Sequence, residues 1–292
     1  MRRVLVTGAN GFIGQRLVDL LADKCELYLV DSAKCEKRKD CHWIGLDLTR
    51  DLRASLLPDK IEVVIHFAQS RNYRDFPNSA LDIFGVNTVS TLRLLELSRQ
   101  AKVKKFVLAS SASVYGGGRK VFREGDLLAP PDDFYAVSKY SAELMARSYS
   151  AFMTVITFRF ITVYGPGQQG MLIPNLINRV LKGNSIMISG VSGFRMNPIY
   201  VDDAVETVIR SLKLTETAVL NVGGTEALSI LDMGRIIGTV LGKEAKFEFV
   251  HDEGARDLVG DISEMKRLLD FTPRVSFEEG VRKTVEGLST EA

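Results

Sequence analysis

A glycine-rich turn near the start of the chain most limits the folds available to it. Residues 7–14 lie between a short apolar run and a segment with helical spacing, and they contain a Gly-x-x-Gly-x-x-Gly pattern. Gly8 permits a tight turn, Gly11 lets a pyrophosphate approach the backbone, and Gly14 lets the helix pack closely against the strand. An ordinary glycine-rich turn is the competing interpretation. Because strand, glycines and helix fall in register, the pattern predicts a dinucleotide-binding strand–turn–helix unit.

Apolar runs that alternate with helical segments continue along the first 160 residues. Such alternation indicates a parallel sheet that is covered by helices on both faces. The predicted strands are Arg3–Thr7, Glu26–Val30, Glu62–His66, Lys105–Ala109 and Thr154–Phe160. The predicted helices are Phe12–Ala22, Ser79–Ala101 and Asp133–Ala151. We therefore expect an α/β chain with a doubly wound parallel sheet, the Rossmann fold.

An acidic residue at the end of the second predicted strand bears on the choice of dinucleotide. A carboxylate at Asp31 accepts hydrogen bonds from both ribose hydroxyls and repels a 2′-phosphate, which favours NAD over NADP. The basic residues between positions 34 and 39 keep NADP open as an alternative. The predicted cofactor-binding residues lie in the turn and at strand ends, and they are Gly8, Asn10, Gly11, Phe12, Ile13, Gly14, Asp31, Asp47, Leu48 and Ala68.

Charge and cysteine content exclude several classes of protein. The 38 Lys and Arg against 36 Asp and Glu leave a net charge of +2, which gives no electrostatic case for binding nucleic acid or an anionic membrane. No apolar stretch approaches the roughly 18 residues of a membrane-spanning helix, and the first apolar run is too short for a signal peptide. Cys25, Cys35 and Cys41 are odd in number and lack a metal-ligand spacing. We expect a cytoplasmic protein without a metal site.

A tyrosine and a lysine supply the candidate catalytic chemistry. Tyr135 and Lys139 are four residues apart and so share one face of the predicted helix Asp133–Ala151. A phenol has a pKa of about 10, and a nearby ammonium and a positively charged nicotinamide favour its ionised form. A serine-rich segment, residues 110–113, ends the preceding strand at the same sheet edge. The Tyr-x-x-x-Lys spacing alone is common on surface helices. It indicates catalysis here because the glycine turn, Asp31 and the serine-bearing strand precede it in the chain.

The ordered motifs resemble the extended short-chain dehydrogenase/reductase family, in its nucleotide-sugar epimerase and dehydratase branch. The resemblance covers nearly the whole chain. It rests on Thr7–Gly14, Asp31, Ser110–Gly116, Tyr135–Lys139, Phe158–Arg159, Val163–Gly167, Tyr200–Ala204 and Asn221–Gly223. The resemblance implies that Ser111 orients the substrate, that Tyr135 is the general acid/base, and that Lys139 binds the nicotinamide ribose and tunes Tyr135.

The resemblance also implies further substrate-binding residues. Asn87 matches an asparagine at the start of a helix near the cofactor, and Arg195 matches an arginine that binds the diphosphate. Arg256 is a second candidate for the diphosphate, with an exposed, salt-bridged arginine as the alternative. Thr162 stands where many relatives have asparagine. The basic loop 71–74 either reshapes specificity or is a solvated loop.

The implied reaction is epimerisation of a nucleotide sugar. In the family's epimerases the tyrosine removes a hydroxyl proton as hydride passes to tightly held NAD, and hydride then returns to the other face of the keto-sugar. The 4,6-dehydratases carry Asp-Glu where this chain has Ala112-Ser113, so no acid is placed to protonate a leaving hydroxyl. We predict an NAD-dependent nucleotide-sugar 4-epimerase, an isomerase. The alternatives are an NAD(P)-dependent reductase or dehydrogenase of a keto-sugar or other carbonyl, and a catalytically silent dinucleotide-sensing protein.

The alternation of strands and helices becomes less regular after residues 165–167, which predicts how the chain is divided. Residues 1–165 are expected to form the NAD-binding domain, with sheet-completing segments from the second half. Residues 166–292 are expected to form mainly a substrate-binding cap. A homodimer through the two long predicted helices is the family expectation, and a nucleotide sugar is the expected small-molecule partner.

Overall fold

The structure is a computed structural model, and it describes residues 2–33, 41–50, 58–128, 133–251 and 256–290. The basic residues between 34 and 39, together with Cys35, lie outside the described residues. Among the described residues, no helix is long and apolar enough to cross a membrane.

Strands and helices alternate through the first 160 residues, as the apolar periodicity predicts. The strands are β1 (Arg2–Thr7), β2 (Cys25–Asp31), β3 (Cys41–Gly45), β4 (Val63–His66), β5 (Lys105–Ser111), β6 (Val121–Phe122), β7 (Thr154–Phe160), β8 (Val163–Tyr164), β9 (Ile186–Ser189), β10 (Arg195–Met196), β11 (Ile199–Tyr200), β12 (Ala218–Val222), β13 (Leu228–Ser229), β14 (Phe247–Val250) and β15 (Val259–Gly260). The helices are α1 (Phe12–Leu21), α2 (Ala80–Phe84), α3 (Ser90–Gln100), α4 (Phe134–Ser148), α5 (Leu172–Leu181), α6 (Val201–Ser211), α7 (Ile230–Leu241), α8 (Ser263–Leu269) and α9 (Phe277–Thr290).

One seven-stranded sheet contains β1 to β5, β7 and, from later in the chain, β12. Its strand order is β12-β7-β5-β4-β1-β2-β3. β1 pairs in parallel with both β2 and β4, and the order runs outward from it in two directions. In such a sheet the connections leave to opposite faces beside β1, and a crevice opens at the carboxyl ends of the strands there. The predicted doubly wound parallel sheet is confirmed.

Apolar side chains hold the helices on the sheet. Val64 of β4 and Phe106 of β5 are fully buried, and Leu95 of α3 and Ala142 of α4 belong to the same core cluster. The small side chain of Ala142, together with Ala146 one turn later, allows the α4 backbone to approach the sheet closely. The helix that carries the candidate tyrosine and lysine is therefore seated beside β5.

The long helix predicted over Ser79–Ala101 is divided in the structure. A π-helical turn, Gly85–Val89, joins α2 to α3. Its Asn87 and Thr88 are buried, and Thr88 Oγ1 donates a 3.0 Å hydrogen bond to the carbonyl oxygen of Ser138 on α4. Such turns insert one residue and are frequent near functional sites. The periodicity of the sequence did not reveal it, because the apolar spacing continues on both sides.

The chain forms two compact units. The first contains residues 1–116, 127–159 and 208–220, and the second contains residues 117–126, 160–207 and 221–292. In the second unit the short strands pair as β6 with β15, β8 with β11, β9 with β14 and β10 with β13. Asn197 braces this unit, since its amide hydrogen-bonds to Gly224 and Gly260 backbone groups at 3.0 Å.

Close backbone contacts explain two of the turn glycines. Gly8 has φ +69°, and a Cβ there would lie 2.6 Å from the Ala68 nitrogen after β4. A Cβ on Gly14 would lie 2.1 Å from the carbonyl oxygen of Gly8. Neither neighbour is a flexible side-chain end, so neither position accommodates a larger residue without a backbone shift. The turn is thus packed against the end of β4.

Gly14→Ala is expected to lower the free energy of unfolding. The added methyl group meets backbone atoms of the turn, and overpacking of this kind costs about 1–3 kcal/mol, sometimes more. Urea denaturation measures the change. Gly125→Ala is the matched control, because a Cβ there meets nothing within 4 Å. Equal unfolding free energies for the two variants would contradict the packing described for the turn.

Candidate active site

A cleft of about 600 Å³ lies at the carboxyl ends of the sheet strands in the first unit. Most of the residues predicted to bind the cofactor line it, namely Gly8, Asn10, Gly11, Asp31, Asp47, Leu48 and Ala68. Phe12, Ile13 and Gly14 form the first turn of α1. The structure therefore brings the predicted cofactor-binding residues to one place.

The amino terminus of α1 gives the cleft an anion-binding character. Gly11 is the N-cap residue. Because glycine has no side chain, the N–H groups of the first turn receive no side-chain hydrogen bond from it. That first turn also contains no acidic residue. The first N–H groups of a helix lack partners within the helix, and the helix dipole attracts negative charge to them. A diphosphate fits this part of the cleft by hydrogen bonding and by charge.

Asp31 is held in position by the backbone around it. Its Oδ2 accepts a 3.1 Å hydrogen bond from the Asn10 N–H, and its Oδ1 accepts a 3.1 Å bond from the Ala33 N–H. The Asn10 amide also donates a 2.7 Å bond to the Ala33 carbonyl. Each carboxylate oxygen retains further acceptor capacity. Asp31 is thus a fixed acceptor for hydroxyl groups, and with the α1 terminus it suits the diphosphate and ribose of a dinucleotide.

Lys139 is buried beside the end of β5. Only 4% of the residue is exposed, and its Nζ donates a 3.0 Å hydrogen bond to the Ala109 carbonyl. The Nζ atom lies 5.7 Å from the centre of the Tyr135 ring. Burial lowers the pKa of Lys139 to about 8, and the negative charge of Glu143 opposes that lowering. The lysine can therefore change its charge close to neutral pH.

The Tyr135 phenol lies close to Ser111, the hydroxyl that the family resemblance assigns to orienting the substrate. Asp133 caps α4 by accepting a 3.0 Å hydrogen bond from the Tyr135 N–H. Burial raises the pKa of the Tyr135 phenol, while a hydrogen bond with Ser111 opposes this. The protein's own groups do not supply the lowered phenol pKa that the motif suggests. A nearby positive charge, such as that of a bound nicotinamide, would favour the ionised phenol.

Ser111 is itself oriented by the short 3₁₀ turn that follows β5. Its Oγ accepts a 3.2 Å hydrogen bond from the Ser113 N–H and a 2.9 Å bond from the Ser113 hydroxyl. Ser110 instead donates its hydroxyl to Glu143, away from Tyr135. Of the three neighbouring serines, Ser111 is the one whose hydroxyl acts on the pKa of Tyr135.

Two residues of the loop after β4 also contact Tyr135, and sequence reasoning missed one of them. The Tyr135 hydroxyl donates a 3.2 Å hydrogen bond to Gln69 Oε1. The Tyr73 ring lies 5.0 Å from the Tyr135 ring, and the Arg74 guanidinium lies 5.0 Å from the centre of the Tyr73 ring. The basic character of loop 71–74 drew attention to Tyr73. No motif pointed to Gln69.

Asn87 and His66 are buried and bonded within the protein. Asn87 is 2% exposed, and its amide accepts a 2.9 Å hydrogen bond from the Ser70 N–H and donates a 2.9 Å bond to Ser138 Oγ. This placement favours a role in holding the loop after β4 against α4 over direct contact with a substrate. The His66 ring lies within 3.0 Å of two threonine hydroxyls, and burial lowers its pKa to about 3. It is a neutral structural residue.

The other predicted substrate-binding residues lie in the second unit. The Thr162 carbonyl accepts a 2.8 Å hydrogen bond from the Ile199 N–H. The Arg195 N–H donates a 2.7 Å bond to Asp257 Oδ1, so Arg195 and the exposed Arg256 lie on neighbouring segments. The residues just before Arg256, 252–255, lie outside the described part of the chain.

Known proteins resemble this chain along nearly its whole length. Residues 4–223 match the NAD dependent epimerase/dehydratase family. The UDP-glucuronate 4-epimerase of Thermodesulfobacterium geofontis is 31% identical, and the match covers 96% of this chain and 94% of that protein.

Solved structures agree with this result. MoeE5 in complex with UDP-glucuronic acid and NAD is 30% identical, with a TM-score of 0.87 over 99% of this chain and 100% of the other. UDP-glucuronic acid 4-epimerase from Bacillus cereus, in complex with UDP-glucuronic acid and NAD, is 27% identical with a TM-score of 0.89 over the same shares. The family match includes the glycine turn, the serine-bearing strand and the Tyr135–Lys139 helix. The chain belongs to the NAD dependent epimerase/dehydratase family.

Proposed function

We propose that the protein is an NAD-dependent nucleotide-sugar 4-epimerase and that UDP-glucuronate is among its substrates. The observation that carries the proposal is the cluster of Ser111, Tyr135 and Lys139 in the unit that holds the glycine-turn cleft. Relatives named as UDP-glucuronate 4-epimerases, and solved structures that contain UDP-glucuronic acid and NAD, support the choice of substrate.

The residues of the cleft suit NAD as the cofactor. The N–H groups at the start of α1 would hold the diphosphate, and Asp31 would accept hydrogen bonds from the adenosine ribose hydroxyls. A 2′-phosphate would meet the negative charge of Asp31, which favours NAD over NADP. When bound, NAD supplies the hydride acceptor and donor for the sugar carbon.

Tyr135 would move the proton of the reacting hydroxyl. In the ionised form its oxygen accepts the proton of the sugar 4-hydroxyl, and after the keto-sugar has turned it returns a proton to the new hydroxyl. Ser111 would hold the same sugar oxygen through its hydroxyl group. Lys139 would favour the ionised phenol through its positive charge. The sequence of steps leaves Tyr135, Ser111 and Lys139 in their starting states.

The substrate must be gripped away from the reacting carbon, since the sugar has to turn between the two halves of the reaction. Arg195 and Arg256 would bind the diphosphate by charge-assisted hydrogen bonds. Thr162 would contact the nucleotide sugar by a shorter side chain than the asparagine of many relatives. The division into an NAD-binding part, residues 1–165, and a mainly substrate-binding part, residues 166–292, remains part of this proposal.

Purified protein with NAD is expected to convert UDP-glucuronate into its 4-epimer without net formation of NADH. Tyr135→Phe is expected to lower kcat by about 10²- to 10⁴-fold, the usual contribution of a positioned acid/base. Chromatography of the sugar nucleotides and absorbance of NADH measure the two results. Tyr140→Phe on the same helix is the matched control and is expected to keep wild-type activity.

Three outcomes of that assay would contradict the proposal. Stoichiometric conversion of NAD to NADH would indicate a dehydrogenase, and release of CO₂ would indicate a decarboxylase. Equal activity of wild type and Tyr135→Phe would indicate that Tyr135 does not move the proton.

The rate is expected to fall on the alkaline side with an apparent pKa near 8. The pKa of Lys139 is about 8, so its ammonium is present below that pH and is lost as the pH rises through it. Lys139→Arg keeps a positive charge throughout, since arginine does not deprotonate in this range. Whatever activity this variant retains is expected to lack the alkaline limb, as a kcat profile from pH 6 to pH 10 would show. If kcat of Lys139→Arg still fell at alkaline pH as in the wild type, the titrating group would be one other than Lys139.

We also propose that the protein is a homodimer that works in the cytoplasm. Exposed apolar side chains on α2, α3 and α4 support the dimer, and they are Leu81, Phe84, Leu92, Val137 and Leu144. Exposed apolar patches on helices that pack side by side are typical of subunit interfaces. The free thiols of Cys25 and Cys41 support a reducing compartment.

Light scattering is expected to give a mass of twice 32.4 kDa for the wild type. The double variant Leu81→Lys/Leu144→Lys is expected to give the mass of one chain, because two charges would enter the apolar interface. Leu127→Lys is the control, since Leu127 is 95% exposed and lies away from these helices in the sequence. A wild-type mass of 32.4 kDa at micromolar concentration would contradict the dimer proposal.

A further inference from the structure

A buried ion pair lies one turn beyond Lys139 on α4. The Glu143 carboxylate accepts hydrogen bonds from the Arg159 guanidinium on β7, with 2.7 Å between Arg159 Nη2 and Glu143 Oε2. Arg159 Nε lies 3.1 and 3.2 Å from the two carboxylate oxygens. Both side chains are 7% exposed. The fork-like geometry fixes the two side chains relative to each other.

Two further residues connect this pair to the end of β5. Ser110 donates its hydroxyl to Glu143 Oε1, and Arg159 Nη1 donates a 2.9 Å hydrogen bond to the Tyr115 hydroxyl oxygen. The Arg159 guanidinium also lies 4.9 Å from the centre of the Tyr115 ring. Ser110 directly precedes Ser111 in the chain, and Tyr115 belongs to the 3₁₀ turn that Ser111 caps. The four side chains thus join α4, β7 and the serine-bearing segment.

The stability of the fold does not account for this arrangement. Removing two charges from water costs several kcal/mol per ion, and well-packed apolar residues often replace a buried ion pair without loss of stability. What the pair provides is a fixed geometry between elements. The elements in question carry all three groups of the candidate active site, and Ala109, whose carbonyl binds Lys139, is the residue before Ser110.

We propose that Glu143 is a positioning residue for this active site. With Ser110 and Arg159 it holds α4 and the end of β5 in the register at which Ser111, Tyr135 and Lys139 meet. From its place one turn beyond Lys139, the Glu143 carboxylate also favours the charged form of that lysine. Glu143 reaches neither substrate nor cofactor in this role. The kinetic part of the inference rests on the proposed epimerase function, whereas the titration of Lys139 does not.

The surroundings of Lys139 show why the charge of Glu143 matters. The titratable groups beside Lys139 include Tyr135 and Glu143 on its own helix and His66 at the end of β4, and Glu143 is itself paired with the Arg159 guanidinium of β7. His66 is neutral because burial holds its pKa near 3. Burial lowers the pKa of Lys139, and Glu143 opposes this lowering. Without that negative charge, Lys139 would lose its proton at a lower pH.

The direct test is the pKa of Lys139 in Glu143→Gln, measured by NMR on protein with ¹³C,¹⁵N-labelled lysine. The Lys139 signal is assigned by its loss in Lys139→Met. We expect the pKa to fall by about one unit, the order of a single nearby charge. Glu62→Gln is the matched control, because Glu62 also forms an ion pair, with Lys104 at 2.9 Å, but at the opposite end of the strands. A Lys139 pKa equal in wild type, Glu143→Gln and Glu62→Gln would overturn the electrostatic part of the proposal.

Kinetics test the positioning part. In Glu143→Gln we expect kcat to fall at least tenfold, the alkaline limb of the kcat profile to move to lower pH with the Lys139 pKa, and KM to stay within about twofold. Glu62→Gln is expected to match the wild type. A parallel loss of kcat and rise of KM, with an unmoved limb, would show a merely structural role and overturn the inference. If the wild type itself fails to epimerise, the proposed function falls and the NMR titration still decides the role of Glu143.

A second variant covers the case in which Glu143→Gln does not fold, since it leaves Arg159 buried without an anion. Arg159→Lys keeps both charges but replaces the fork by a single ammonium group, which cannot reach both Glu143 and Tyr115 in the same way. We expect a fall in kcat of at least tenfold with the Lys139 pKa within 0.3 units of the wild-type value, as an approximate limit for an unchanged charge. Wild-type kcat in this variant would contradict the positioning role.

Discussion

The bond between the Lys139 ammonium and the Ala109 carbonyl is the interaction on which the candidate active site depends. A charge that is 96% removed from solvent needs partners, because burial without them drives the group to its neutral form. The carbonyl at 3.0 Å supplies one partner, and the Glu143 carboxylate supplies the compensating charge. Both lie on elements that the sheet and α4 already bring together. The same contact therefore joins α4 to the end of β5 at the candidate site.

The cleft is prepared for anions without a basic surface. The net charge of the chain is only +2, yet the glycine turn presents the N–H groups of α1, and Asp31 is fixed as an acceptor by the backbone of Asn10 and Ala33. Gly8 and Gly14 make this possible, because a side chain at either position would meet backbone atoms. The N–H groups of α1 and the fixed Asp31 carboxylate can thus bind an anionic ligand locally, without the broad positive potential that a binding site for nucleic acid would need.

Much of the fold could be predicted from the sequence, because local signals determine it. The strand Thr154–Phe160 has the predicted ends, because a continuous apolar run marks it, and α1 begins at the predicted Phe12, because the glycine turn marks its start. The π turn over Gly85–Val89 was missed, because its buried residues, Asn87 and Thr88, are polar and add nothing to the apolar spacing. The pairing of β6 with β15 is a contact between distant segments, which no periodicity reveals.

The site was predictable to the extent that motifs encode it. The glycine turn, Tyr135 and Lys139 stand at spacings that follow from their chemistry, so they could be named in advance. Gln69 belongs to no motif, and its contact with Tyr135 depends on the path of the loop after β4. The substrate-binding role of Asn87 stays a prediction, and in the structure its amide is hydrogen-bonded to Ser70 and Ser138.

The most direct test of the account follows deuterium through the reaction of UDP-glucuronate labelled at C4. The central claim is that the hydrogen taken from C4 returns to the same carbon on the opposite face, with Tyr135 moving only the hydroxyl proton. Mass spectrometry and NMR of the product are then expected to show full retention of deuterium at C4 of the 4-epimer, with none released to water. Loss of the label to solvent, or an epimer formed with solvent hydrogen at C4, would contradict the claim.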